Sequence, residues 1–339
     1  MERPDDFDAE NELHVTPEGA GIDEALTGRA TTEADLVKGS SLWRDAWRRL
    51  KKNRVAMLGG LITLVIALLS AVGAVALLSD WAAANGHAWL AAHTDILPYH
   101  FDKTNLVEAN EPPSLAHLLG TDVLGRDLAV RIVVGGAISL TVGIVATAVS
   151  FVIGVAYGAI AGYIGGRTDQ VMMRVVDIIY SLPYIFVVIV LVSIFERNFV
   201  VLFAAIGAVS WLTMARIVRG QVLSLRNQEF VEAARAVGAS RFKIIFRHIV
   251  PNTLGPVIVY TTLTVPSVML QEAFLSFLGL GVPPPFSSWG TLVNEGVGPM
   301  SIYPWQLIFP AMMLAVTLLS LNFLGDGLRD ALDPQMRKE

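Results

Sequence analysis

The interior of a lipid bilayer offers no water to exposed backbone N–H and C=O groups, and about 20 consecutive apolar residues are needed to cross it as a helix. This chain supplies about six such runs: Val55 to Leu78, Ile132 to Ile164, Val171 to Ile194, Phe199 to Ile217, Leu254 to Leu280 and Trp305 to Leu324. The first holds no charged residue at all. The predicted fold is therefore an all-α integral membrane protein with about six transmembrane helices. Composition agrees, since 53% of the 339 residues are hydrophobic and only 16% are charged. There is no cysteine, which excludes disulfides, thiolate catalysis and cysteine metal sites.

Basic residues set the orientation of such a bundle. Arg44, Arg48, Arg49, Lys51, Lys52 and Arg54 precede the first run. Arg216, Arg219, Arg226, Arg235, Arg241, Lys243 and Arg247 surround the connection between the fourth and fifth. Both regions are expected on the cytoplasmic side, with both termini inside. The stretch 281–304 holds no Lys or Arg, as an outer loop should, while Arg126 and Arg131 on the outer side are exceptions.

The net charge of −5 belongs to the N-terminus. Residues 1–39 carry eleven acids and three bases, leaving 22 bases and 19 acids for the rest. That segment has too few large apolar groups to offset its ordering entropy, so it is expected to be a disordered acidic cytoplasmic tail. Residues 40–54, with Trp43 and Trp47 four apart among basic side chains, suit a helix lying on membrane lipid. The expected organisation continues with a transmembrane domain over 55–328, including an outer loop 79–131 and a cytoplasmic loop 218–253, and ends in a cytoplasmic tail 329–339.

Within the cytoplasmic loop, good helix formers from Ala233 to Ala236 lead to Gly238, which can close a helix in the left-handed conformation. Ser240 can cap a second helix with Phe242, Ile245, Phe246 and Ile249 on one face. Pro251 is expected to stop or redirect that helix. On the first helix, Phe230, Ala233 or Ala234, and Val237 form a small stripe flanked by Glu229, Glu232 and Arg235. The alanines permit close approach of a partner, and the charges orient it.

Glu232, Ala233, Ala234, Gly238 and Pro251 stand at the spacing of the "EAA" loop of ABC importer permeases, which this segment resembles. His248 and Val250 replace an aliphatic and a leucine of that pattern. The outer segment with Thr121, Asp122, Gly125, Arg126 and Asp127 is similar to the "LGTDxxGRD" stretch of the dipeptide, oligopeptide and nickel branch. "FLSFLGLGVPPPFSSWG" (274–290) and "NFLGDGLRDALDP" (322–334) are similar to the C-type peptide permease of the same branch. The resemblance implies a permease subunit in the cytoplasmic (inner) membrane that carries di- or oligopeptides and is not itself an enzyme. It further implies a homologous permease partner, two cytoplasmic ATPase subunits that bind ATP and Mg, and an extracytoplasmic substrate-binding protein. No nucleic-acid partner and no cofactor in this chain are expected. Glu232, Ala233, Ala234, Gly238, Arg241, Phe242 and Pro251 are then the ATPase-coupling residues.

No Gly-x-x-x-x-Gly-Lys-Ser/Thr loop occurs; Lys103-Thr104 follows Asp102, where glycine is required. Energy must come from elsewhere. No histidine is followed by glutamate, which removes the His-Glu-x-x-His metalloprotease reading, and His87, His93 and His100 are irregularly spaced in one loop. Buried charges in spans are costly and have reasons. Asp177, three residues from Arg174, and Glu272, beside Gln271 and Ser276, are candidates for a water-filled path, as are Ser181 and Tyr184 next to Pro183. Pro183 and Pro266 are expected to bend their spans, and Gly154, Gly158 and Gly162 to allow close helix packing. Two other readings stay open: nickel or another small solute as cargo, and an ion-coupled secondary transporter.

Overall fold

A computed structural model describes residues 42–85, 97–195 and 199–332. The acidic tail 1–39, His87, His93, the Trp43 side chain and the last residues from 333 lie outside the described residues. Ten helices are used below: α1 (Leu42–Lys52), α2 (Arg54–Ala84), α3 (Leu128–Ile164), α4 (Gly166–Ser181), α5 (Tyr184–Phe195), α6 (Phe199–Leu225), α7 (Glu229–Ala236), α8 (Arg241–Phe277), α9 (Trp289–Val297) and α10 (Trp305–Leu332). By length and composition α2, α3, α8 and α10 can each cross a membrane, and α4 with α5 makes a fifth candidate if that bent pair is one span.

The start of each long helix is written locally. The Asn53 side chain accepts a hydrogen bond from Ala56 N–H at 3.1 Å, and Asp127 accepts from Val130 N–H at 2.8 Å, so each satisfies an orphan donor in the first turn. At the other end of α3, Gly165 adopts φ +68° and its N–H returns to Ala161 O at 3.0 Å. The positive φ turns the chain directly into α4.

The glycine ladder decides how α3 packs. A Cβ on Gly154 would come within 2.6 Å of Met214 Cβ, one on Gly158 would collide with the Ala215 carbonyl, and one on Gly162 would press on Arg219 O and Val222. These three positions let α6 lie along α3 at backbone contact. Their inner ends share a core of Val155, Ala159, Tyr163, Met214, Val218 and Val222. On the opposite flank, Gly59 of α2 faces Ser320 O and Phe323 Cβ of α10, and Gly327 of α10 faces Ala56, which clamps these two helices together. Short α9 wedges between α3, α8 and α10: Trp289 is buried and its indole N–H donates to Ile132 O at 2.9 Å.

Of two expectations about proline, one is met and one is corrected. The run from Val171 to Ile194 bends at Leu182-Pro183, sharply enough to interrupt the helix, and α4 meets α5 at 81°. The residue before a proline is pushed out of the helical region, and Leu182 is extended at φ −80°, ψ 127°. Pro251, by contrast, stops nothing. The segment Ile244–Ile249 is a π-helix, with Val250 N–H reaching back five residues to Ile245 O, and α8 continues through Pro251, Pro256 and Pro266 to Phe277. The wider turn relieves the clash between a proline ring and the carbonyl four residues earlier.

Candidate functional site

Three places concentrate polar chemistry. The first is the hairpin formed by α7 and the start of α8. Gly238 sits at φ +81°, Ala239 N–H bonds Ala234 O at 3.0 Å, and Gly238 N–H bonds Arg235 O at 2.9 Å. This pair of bonds satisfies the last carbonyls of α7 and reverses the chain. Ser240 then accepts from Lys243 N–H at 3.4 Å and opens the next helix. One face of the hairpin is fixed: Val231, Ile244, Ile245 and Ile249 are buried against Tyr163, Val218, Val222 and Val257. Arg235 stacks its guanidinium 5.3 Å from the Tyr163 ring and donates to Tyr163 Oη at 3.3 Å and to Arg226 O at 3.4 Å.

The opposite face is bare. Glu232, Ala233, Gly238, Arg241 and Phe242 are exposed, with Val237 at 88% and Phe242 at 71% of full accessibility. The Phe242 ring leans on Phe246, centroids 4.5 Å apart. Phe242 therefore does not share the buried face with Ile245 and Ile249 as the spacing predicts, because the π turns rotate the residues that follow Lys243. The predicted stripe of Phe230, Ala233 and Val237 points outward too, and Val231 supplies the inner anchor.

The second place is a cavity of about 470 Å³ between α4, α5, α6 and α8. Tyr180, Tyr184, Ser210, Thr213, Ser267 and Gln271 give it a wall of uncharged hydrogen-bonding groups. Tyr184 lines it. Ser181 is exposed just outside and turns its hydroxyl to Ile178 O at 2.7 Å. Asp177 also lies off the wall. It pairs not with neighbouring Arg174 but with Arg216 of α6, at 2.8 Å, and Arg216 stacks 4.3 Å from the Tyr180 ring. Eight residues earlier, Asp169 holds Arg219 through two hydrogen bonds of 2.5 and 2.6 Å. Two ion pairs thus tie α4 to α6. Glu272 is wholly buried and does not reach the cavity: it accepts from Ser276 Oγ at 2.6 Å and Ser139 Oγ at 3.4 Å, and Ser276 contacts Ser288 at 3.2 Å. A hydroxyl cage joining α3, α8 and the start of α9 accounts for this carboxyl without a solvent path.

The third place lies at the far end of the bundle from the hairpin, and it explains the two exceptional arginines. Asp122 Oδ1 accepts from Leu124 and Arg126 N–H at 2.8 and 3.0 Å, while Oδ2 accepts from Arg126 Nε and Arg131 Nη1, both at 2.7 Å. Arg131 also donates to Glu295 of α9 at 2.6 Å. Asp127, besides capping α3, holds His117 Nδ1 at 2.8 Å. Gly125 at φ +71° lets the turn press against the Asn105 backbone. The motif is an ionic knot, buried at Asp122 and Arg131 with Glu295 on its exposed rim, that fixes the loop to α3 and α9. The sequence exposed the motif but not its partner Glu295, which lies 164 residues from Arg131. Among the described residues, no group of three or more His, Asp or Glu is placed to hold a metal ion.

Comparison with known proteins agrees with this arrangement. Residues 154–338 match the family model for the binding-protein-dependent transport system inner membrane component, and residues 41–113 match that for the N-terminal transmembrane domain of oligopeptide transport permease C. The oligopeptide transport system permease protein OppC of Haemophilus influenzae is 47% identical over 303 residues, covering 89% of this chain and 91% of that protein. The dipeptide transport system permease protein DppC of Bacillus subtilis is 44% identical over 316 residues, covering 92% of each. An inward-facing crystal form of the MetNI methionine ABC transporter aligns at TM-score 0.49 and 19% identity over 60% of this chain and 96% of that one, too distant to carry a structural argument. The chain belongs to the inner-membrane permease components of binding-protein-dependent ABC importers, in the OppC-type branch.

Proposed function

We propose that this chain forms one half of the transmembrane pathway of an ATP-driven importer of di- and oligopeptides. A homologous permease supplies the other half, two cytoplasmic ATPase subunits bind ATP and Mg, and an extracytoplasmic binding protein delivers the peptide. In this reading the bundle crosses the membrane six times with both termini cytoplasmic, and no bond is made or broken by the chain itself.

One observation carries the proposal: the hairpin around Gly238 is anchored on one face and bare on the other. Val237 and Phe242 are exposed apolar side chains flanked by Glu232 and Arg241, as suits a knob that enters a groove on another protein. The mechanical route follows from continuity. Helix α8 runs 37 residues from the hairpin past the cavity to the Glu272 cage, a rod of ~55 Å at 1.5 Å per residue. The two ion pairs from α6 to α4 carry the same displacement to the cavity wall. Closure of the ATPase pair on ATP moves the hairpin, and α6, α8 and α4 follow as rigid elements.

The cavity favours a peptide over a metal cation. Its described lining contains no carboxylate or imidazole, the groups that replace a divalent ion's hydration shell. Hydroxyl and amide groups can instead bond to peptide N–H and C=O, or to water around them, without choosing among side chains. An ion-coupled transporter finds less support, because Glu272 is enclosed by hydroxyls and Asp177 is committed to Arg216.

A single cysteine decides the matter cleanly in a chain that has none. Placed at Val237 in the assembled transporter, it should react with a membrane-impermeant thiol reagent only from the cytoplasmic side and cross-link to an ATPase subunit. Labelling from outside, or peptide uptake by the permeases without any ATPase, overturns the proposal.

A further inference from the structure

The base of the hairpin holds a cleft of about 400 Å³, lined by Tyr163 and Ile164 at the end of α3, Arg235 of α7, Ala239 of the turn, and Arg241 and Ile244 of α8. Its polar side chains offer N–H and O–H groups that nothing in the chain takes up. Arg235 is held in place by the Tyr163 ring and by bonds from Nε to Tyr163 Oη at 3.3 Å and from Nη2 to Arg226 O at 3.4 Å. Its Nη1 makes no hydrogen bond among the described residues, and neither does the proton of the Tyr163 hydroxyl that accepts from it. Arg241 stands exposed on the rim. Elsewhere Arg126, Arg131, Arg216 and Arg219 each hold a carboxylate. Among the described residues Arg235 and Arg241 pair with none, and no Asp or Glu lines the cleft.

The geometry points to this cleft as a binding site for a phosphate monoester. Guanidinium groups suit phosphate oxygens, and Arg235 is already fixed by its bonds to Tyr163 and Arg226, so little freedom is lost when it binds. Charge separates phosphate from carboxylate. A monoester carries close to −2 at neutral pH, which two unpaired arginines balance, whereas a single carboxylate leaves one of them over. The volume lies in the range that holds a small ligand, and Ile164, Ala239 and Ile244 supply apolar surface for the organic part of the ester. The same chemistry is offered by a soluble phosphate ester and by the headgroup of phosphatidate in the membrane. Either would join the end of α3 to both limbs of the hairpin. It would also draw Arg241 away from the bare face that meets the ATPase in the transport reading; that consequence rests on the reading, while binding itself does not.

The test is equilibrium dialysis of radiolabelled glycerol 3-phosphate against the full-length subunit in phosphatidylcholine nanodiscs. Saturable binding is expected. Arg235→Gln and Arg241→Gln should each weaken it by roughly tenfold or more, the scale of a lost charge-assisted hydrogen bond, and Tyr163→Phe by less. Arg247→Gln should leave it unchanged, since Arg247 is exposed but outside the lining. Arg241 is also exposed, so its replacement keeps the packing intact even if Arg235→Gln loosens the hairpin. Discs containing phosphatidate separate the two sources: displacement of the soluble ester assigns the site to the lipid headgroup, and retained binding assigns it to a soluble ester. Absence of binding, or equal weakening by Arg247→Gln, overturns the assignment. Succinate bound as tightly as the phosphate overturns it too, by showing a cleft kept for carboxylates of a neighbouring protein.

Discussion

The two ends of this molecule handle charge and apolar surface in opposite ways. At the end that carries the Asp122 turn, charged groups are consumed internally: Arg131 is 2% exposed and holds both Asp122 and Glu295, and Asp127 is shared between His117 and the first turn of α3. At the hairpin end, Glu232, Val237, Arg241 and Phe242 face outward, and of these Phe242 leans on Phe246 while most of its surface stays exposed. A closed network of this kind fixes geometry, whereas an open face is kept for something outside the chain. Under the proposed coupling the two ends have complementary tasks, since the far end resists while the near end is pushed.

The largest effect expected is on the closed side. Arg131→Ala leaves Asp122 with Arg126 Nε and the N–H groups of Leu124 and Arg126, and Glu295 with only a 3.4 Å contact to Arg126, and losing the charge-assisted bonds of this buried guanidinium costs about 2–3 kcal/mol. The purified subunit should melt at visibly lower temperature; an unchanged melting profile breaks the contrast between the two ends. On the open side, Glu232→Lys should leave melting unchanged yet cut ATP-dependent uptake by about tenfold, as loss of a centrally placed interface contact does. Wild-type uptake by that variant would remove the hairpin's proposed role. Gly238→Ala separates backbone from contact. An added Cβ meets nothing within 4 Å, so only the φ of +81° is strained, and about 1 kcal/mol of local destabilisation is expected. Gly238→Val should cost more and uncouple hydrolysis from uptake.

The same contrast explains what the sequence disclosed. Elements governed by neighbours in the chain were legible: apolar runs and the glycine ladder show as a composition or period along one segment, and the Gly238 and Ser240 caps act within five residues. Proline was half legible. Leu182 could be expected to leave the helix, but the π segment that carries α8 through Pro251 depends on Ile244, Ile245 and Ile249 finding a core on α3 and α6. Charges were the least legible, since their partners are set by packing. Asp177 ignores Arg174, three residues away, for Arg216 on another helix, and Arg131 finds Glu295 far along the chain. Glu272 looked like a path residue because a lone carboxylate in an apolar run signals function; the three serines that enclose it come from α3, α8 and the turn before α9.

The smallest effect expected lies between the two regimes, at a charge cluster that is paired yet open to solvent. His100 Nδ1 stands 2.5 Å from Asp102, and Nε2 stands 3.2 Å from Asp80 at the end of α2, tying the loop to the helix. Burial lowers the pKa of this imidazole, but hydrogen bonds and charge from Asp102 and Asp80 outweigh it, and the net shift is upward. A folded-state pKa above the unfolded one means that protonated His100 contributes its full stabilisation below about pH 6.5, and the contribution fades as pH rises through the folded value. Exposure of 44% keeps the effect small through solvent screening. Amide exchange in residues 97–105 should therefore quicken as pH rises from 6 to 8, beyond the intrinsic base-catalysed increase, and Asp80→Asn should flatten that excess. The buried Asp127–His117 contact provides the internal reference: if loop exchange tracks His117→Asn instead of Asp80→Asn, the solvent-facing pair contributes nothing and the closed network alone holds the loop.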